Sequence, residues 1–172
     1  WYSEPLAYPG RVFIFGGGHV SQALVPVLVS IGFSCTVVDD RAEFADPALF
    51  PQAEAVYEAD YEALPADLGV TPDDYVCIMT RGHVGDYDVQ RQMLAIKPYY
   101  LGVIGSRRKL AFVKEKLLAD GFTAAEIDAC HAPIGLAISA VTPAEIAISI
   151  AAELIAIRAK REGREKSRYH KP

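Results

Sequence analysis

The chain has 172 residues, 51% of them hydrophobic, with 17 Lys and Arg against 22 Asp and Glu for a net charge of −5. This is enough apolar material for one globular core, and it excludes a disordered, collagen-like or disulfide-scaffold chain. No window holds the ~18 consecutive apolar residues of a spanning helix, and no charged-then-apolar signal segment opens the chain, so a soluble, cytoplasmic protein without a membrane partner is expected. Cys35, Cys77 and Cys130 are odd in number and far apart, which suits a reducing compartment. The chain opens on Trp1 rather than Met, so residues 1–10 read as a linker or the remnant of a missing N-terminal region. Residues 11–158 read as the domain. Residues 159–172 read as a basic, solvated tail: seven basic and two acidic residues between 158 and 172 leave −10 on the body, and an acidic body argues against nucleic acid as a partner.

In chain order, RVFIF at residues 11–15 is an apolar run between glycines, the pattern of a strand buried on both faces. Residues 19–31 repeat apolar side chains at three and four, which predicts a helix ended by Gly32 and disturbed by Pro26. SCTVV at 34–38 predicts a second strand and residues 53–57 a weaker third. YVCIM at 75–79 predicts a fourth strand, followed by a helix from about Asp86 to Ile96, and YYLGVI at 99–104 a fifth, followed by a Lys-rich helix through Phe112, Val113 and Leu117. Thr142, Pro143 and Glu145 form a capping box that opens a long helix with Ile146, Ile150, Leu154 and Ile157 on one side. Alternating strands and helices predict an α/β fold: Rossmann-like, doubly wound, with a mainly parallel sheet and helices on both faces.

Gly16, Gly17, Gly18, His19, Val20 and Ser21 follow the first strand and open the first helix, matching G-x-G-x-x-G/A with Ser21 at the third small position. Gly16 permits the tight turn, and Gly18 lets backbone approach a phosphate at a helix N-terminus. Asp39 ends the second strand 23 residues after Gly16, near the ~20-residue spacing at which an acid accepts ribose hydroxyls. With the glycine turn it points to a nucleotide or pterin-phosphate ligand bound beside Asp39, Asp40 and Arg41; Asp39 would repel a 2′-phosphate and Arg41 would offset this in part, so an NAD-like ligand is modestly favoured over an NADP-like one. Thr80, Arg81, Gly82 and His83 end the fourth strand. His83 with Asp86 suits a metal or acid–base chemistry; alternatively, Asp86 caps the next helix and His83 bonds backbone. No further His/Cys cluster supplies the three or four ligands of a zinc site, so no metal is assigned. Gly105, Ser106, Arg107, Arg108 and Lys109 end the fifth strand, and cations at a helix N-terminus oppose its dipole unless an anion binds there. Gly135 suggests close backbone approach. Cys130 beside His131 is either a reactive pair or inert packing, and Cys35 and Cys77 belong to the core.

GRVFIFGGGHVSQAL, VVDDR, TRGHVGDYD, GVIGSRRK and PIGLAISAVTPAEIAISIAAELIAIR together resemble the C-terminal Rossmann domain of the XdhC/CoxI family, maturation factors of xanthine and carbon monoxide dehydrogenases. The resemblance runs from about Arg11 to Arg158. It implies a cytoplasmic, chaperone-like rather than catalytic protein, often a homodimer. Such a protein binds the molybdenum cofactor (molybdopterin), protects it while a cysteine desulfurase exchanges an oxo for a sulfido ligand, and delivers it to an apo-molybdenum hydroxylase. It also implies a preceding N-terminal domain with a Cys motif, which these residues do not contain. An NAD(P)-dependent oxidoreductase and a nucleotide-sensing or dimerisation module built on the helix from Pro143 are the alternatives.

Overall fold

The computed structural model describes residues 10–164. The linker or remnant, apart from Gly10, and the end of the basic tail lie outside the described residues. Five strands, β1 (Arg11–Phe15), β2 (Ser34–Asp39), β3 (Ala55–Glu58), β4 (Tyr75–Ile78) and β5 (Tyr100–Val103), form one sheet in the order β3-β2-β1-β4-β5, and every neighbouring pair is parallel. This is the doubly wound α/β fold that the alternation of elements predicts.

The central strand shows why RVFIF carries no polar alternation. Val12 and Ile14 enter a core layer with Leu24 and Leu28 of α1 (His19–Ser30) and Ile150 and Leu154 of α5 (Pro143–Arg161). Phe13 and Phe15 enter the opposite layer with Val89 and Met93 of α2 (His83–Ile96) and Val113 and Leu117 of α3 (Arg107–Ala119). Both faces are covered, so successive side chains must all be apolar. Cys35 and Cys77 lie in the first layer, as expected, and burial pushes the Cys35 thiol up to about 12.

Several local expectations shift. α1 runs through Pro26, which lies on the exposed side of the helix, where its ring disturbs no core contact. The third strand is displaced to Ala55–Glu58, where its register follows β2 from Thr36↔Ala55 to Asp39↔Glu58. α2 starts at His83, a turn earlier than expected, with Gly82 at φ +90° as its N-cap. Asp86 therefore lies inside the first turn and does not cap the helix. A short helix, α4 (Ala124–Asp128), opens on a second capping box formed by Thr123 and Glu126. α5 begins as its Thr142/Glu145 box requires.

Beyond β5 there is no sixth strand among the described residues; His131 makes a single parallel bridge to Gly102. A Cβ at Gly102 would stand 2.6 Å from the Ile134 side chain, so glycine is what lets this segment close over the edge strand. Gly135, at φ +93°, backs directly onto Ser149 of α5, the close approach expected of it.

The two faces of α5 provide a test of this packing. Leu154 is fully buried and Ile148 is 51% exposed. Leu154→Ala is expected to cost about 2–5 kcal/mol and Ile148→Ala less than about 0.5 kcal/mol, compared as shifts in urea unfolding midpoint.

Candidate functional site

In a sheet of this order the connection from β1 leads to β2 on one side while β4 lies on the other, so the carboxyl ends of β1 and β4 mark the place where sheets of this kind form a binding crevice. The glycine turn after β1 lines it. Gly16 has φ +111°, and a Cβ there would collide with the Met79 carbonyl; one on Gly17 would collide with the Phe44 carbonyl. Gly18 is different. It is the N-cap of α1, and a Cβ built on it would meet nothing within 4 Å. Two glycines therefore serve the protein's own packing and the third faces open space. His19 is exposed and Val20 half-buried at the start of the helix, and the buried Ser21 hydroxyl donates to the Gly16 carbonyl, closing the turn that the fingerprint would close with a third glycine.

Asp39 takes a different role from the one expected. It is fully buried and accepts four hydrogen bonds: Gly17 N–H at 2.7 Å, Arg41 N–H at 3.0 Å, and the Arg41 guanidinium at 2.9 and 3.0 Å. Four is about the capacity of a carboxylate, so none of its lone pairs is left for a ribose hydroxyl. Burial pushes its carboxyl up, but the Arg41 and Gly17 bonds outweigh that and hold it below the ordinary range. Arg41 is locked in the same contact, with its guanidinium 3.8 Å from the Phe44 ring centroid. The adjacent Asp40 side chain is 49% exposed, and burial together with Asp39 raises its pKa. It lines an open acidic hollow of ≈ 500 Å³ with Glu58, Ala59 and Asp60.

On the β4 side, Thr80 is buried and donates to Asp86 Oδ1 from its N–H (3.2 Å) and its hydroxyl (2.6 Å). Asp86 Oδ2 lies 2.5 Å from Lys109 Nζ, which reaches across from α3. Burial raises the Asp86 pKa, with Lys109 and Thr80 offsetting part of the effect. The expected pairing of His83 with Asp86 is absent: Asp86 points into the protein, while exposed His83 packs edge-on against Phe112 with ring centroids 4.6 Å apart. The alternative, His83 bonding backbone, is not seen either. On the β5 side, the Ser106 hydroxyl accepts from Lys109 N–H as the N-cap of α3, and Gly105 lets the Lys109 stem lie close, with its Cδ 3.2 Å from a Cβ position. Lys109 is thus committed to Asp86, whereas exposed Arg81, Arg107 and Arg108 make no ion pair or hydrogen bond with another described residue. No group of three or more His, Cys, Asp or Glu side chains among the described residues is placed to hold a metal ion. No described helix is long and apolar enough to cross a membrane.

Sequence reasoning misses Glu153. From α5 it accepts from Tyr100 O–H (2.5 Å) and Gly135 N–H (2.8 Å), and His131 Nδ1 lies 2.9 Å away. The available signal was a carboxylate on the same helical stripe as Ile146, Ile150 and Ile157. Cys130 does not pair with His131: its sulfur accepts from Gln90 Nε2 at 3.5 Å, and burial pushes the thiol up, as for inert packing.

Known proteins are similar to this chain in sequence and fold. The XdhC Rossmann domain family matches residues 12–154. The chain is 32% identical over 149 residues to the protein YqeB of Escherichia coli (strain K12), covering 86% of this chain and 27% of that protein. It is 28% identical over 148 residues to a probable xanthine dehydrogenase subunit from Bacillus subtilis (strain 168), covering 86% and 43%. A crystal structure described as a xanthine dehydrogenase from Bacillus halodurans superposes with a TM-score of 0.72 at 31% identity, over 95% of this chain and 45% of that one. The chain spans less than half the length of each of these relatives.

Because Asp39 is depressed below its unfolded value, the stability it contributes is present above the ordinary carboxylate range and is lost as pH falls through the folded value. Asp39→Asn is expected to cost about 3–5 kcal/mol at pH 7, the price of breaking a buried pair. The gap to wild type should stay constant down to about pH 5 and close below about pH 4, read from urea midpoints across that range.

Proposed function

The chain belongs to the XdhC Rossmann domain family, and from that premise we propose that it is the cofactor-holding domain of a maturation factor for molybdenum hydroxylases of the xanthine or carbon monoxide dehydrogenase type. It holds the molybdenum cofactor, as molybdopterin or its dinucleotide, while a cysteine desulfurase sulfurates it, and then passes it to the apo-hydroxylase, the factor acting as a homodimer. The single observation that supports this reading is the open space at Gly18, combined with uncommitted arginines at the ends of β4 and β5.

The donor set fits an anionic cofactor. Molybdopterin bears a phosphate and its dinucleotide form a pyrophosphate, and backbone N–H groups in the first turn of α1 are free donors at a positive dipole end. Arg81, Arg107 and Arg108 would supply charge from the other side of the crevice, with guanidinium forks suited to phosphate oxygens. When bound, the cofactor carries the metal chemistry that the client enzyme uses. This domain's residues bind, orient and shelter it. The oxidoreductase reading asks Asp39 to accept ribose hydroxyls and His83 to act beside Asp86; the four bonds on Asp39 and the outward turn of His83 leave it neither support.

Gly18→Asp tests the reading without unfolding the protein, because the new side chain enters open space. In paired calorimetric titrations, wild type should bind molybdopterin, and the variant should bind it at least about tenfold more weakly because the added carboxylate repels phosphate, with its thermal midpoint little changed. Saturable binding of NADH but not of molybdopterin would move the assignment to an oxidoreductase.

A further inference from the structure

Asp86 is a buried titratable group at the crevice in which half of the carboxylate depends on one mobile cation. Its side chain is fully buried, and both Thr80 bonds fall on Oδ1. Oδ2 has a single partner, the Lys109 ammonium at 2.5 Å. Lys109 neutralises that oxygen by charge and keeps further N–H donors unspent, its side chain 20% exposed at the turn that also presents Arg107 and Arg108. The other neighbours cannot replace it. Tyr61, whose ring packs near Gly85 and Thr80, gives its hydroxyl to the Val38 carbonyl, and His83 turns out toward Phe112. On the same helix, Asp88 faces the acidic side chains Glu62 and Asp60 along with Arg91 and Lys116.

Resting on the anion-binding reading above, we propose that Asp86 and Lys109 form a proton-linked switch in the cofactor site: an arriving phosphate draws the Lys109 ammonium off Asp86, and Asp86 takes up one proton from solvent at Oδ2. The physical reason is an asymmetry between the two partners. Lys109 sits on a flexible four-carbon stem and, by turning to an anion, exchanges its one contact with Oδ2 for a partner that offers both charge and several acceptors. Asp86 is fixed in the first turn of α2, and an ionised carboxylate left alone in that enclosure is far costlier than a protonated one. Anion binding therefore consumes a proton. Binding weakens as pH rises, and the site holds its ligand more tightly on the acid side and releases it more readily on the alkaline side.

The experiment titrates the chain calorimetrically with inorganic pyrophosphate, and separately with molybdopterin, at pH 6, 7 and 8 in buffers of differing ionisation heat. Wild type should take up close to one more proton per anion bound than Asp86→Asn does, with an affinity that falls by up to about tenfold per pH unit relative to that variant. Asp86→Asn, with Lys109 released, should bind more tightly. Lys109→Met should bind more weakly and show no excess uptake; it carries the comparison should Asp86→Asn fail to fold. Equal proton uptake in wild type and variants, with binding intact, overturns the switch and leaves the anion site standing. If neither ligand binds wild type, the site reading falls and the switch with it.

Discussion

The Asp39 carboxylate is the interaction on which the rest of the site depends. It sits at the end of β2, inside the protein, and binds the N–H of Gly17 in the turn after β1 while holding Arg41 against its own loop. A buried carboxylate persists only if its charge and lone pairs are met, and here the glycine turn itself meets part of that need. The turn is consequently held from three directions: by Asp39, by the Met79 carbonyl under Gly16, and by the Phe44 carbonyl over Gly17. Side chains are excluded at the first two glycines by the protein's own atoms. Within the turn only Gly18 is free of such an internal contact, and that open space is what the proposed ligand would use.

This division bears on what the sequence made legible. The strand–turn–helix unit at the start, the buried strands and the α5 capping box all rest on contacts within a few residues, so local periodicity and caps disclose them. The α4 box of Thr123 and Glu126 is equally local and was available to the same reasoning. What was not legible rests on distant partners. Asp39 has the spacing of a ribose-binding acid, yet its Gly17 and Arg41 bonds depend on how β1 and β2 are set side by side. Lys109 reads as one of three equivalent cations, and only the adjacency of the β4 and β5 loops shows that it is bound to Asp86 while its two neighbours are free of such a partner. His83 and Asp86, three residues apart, would share a helical face were both in a regular turn with outward side chains, but the buried Thr80 claims Asp86 for the interior.

The outer edge of the sheet shows the same dependence on long-range contacts. An open parallel edge exposes unpaired backbone groups, and here His131 takes two of them: its N–H donates to the Leu101 carbonyl and its own carbonyl accepts from Val103 N–H. The segment is then fastened to α5 through Glu153, which gathers Tyr100, His131 and Gly135 around one carboxylate. Tyr100 and Glu153 are 53 residues apart, so a polar position on an otherwise apolar helical stripe is the sole trace this network leaves in sequence.

Charge at the crevice follows from these commitments. The chain is net negative, and an acidic body repels an anionic cofactor at long range unless local cations dominate the field at the mouth. Two of the basic side chains near the crevice, Arg41 and Lys109, are paired with buried carboxylates before any ligand arrives. Arg81, Arg107 and Arg108 stand exposed at the ends of β4 and β5, two of them at a helix N-terminus where the dipole makes an unpaired cation unfavourable. A fold gains nothing from cations at that position. An anion between them and the open face of Gly18 would offset that cost, so the uncommitted arginines, more than the glycine fingerprint, support the proposed anionic ligand.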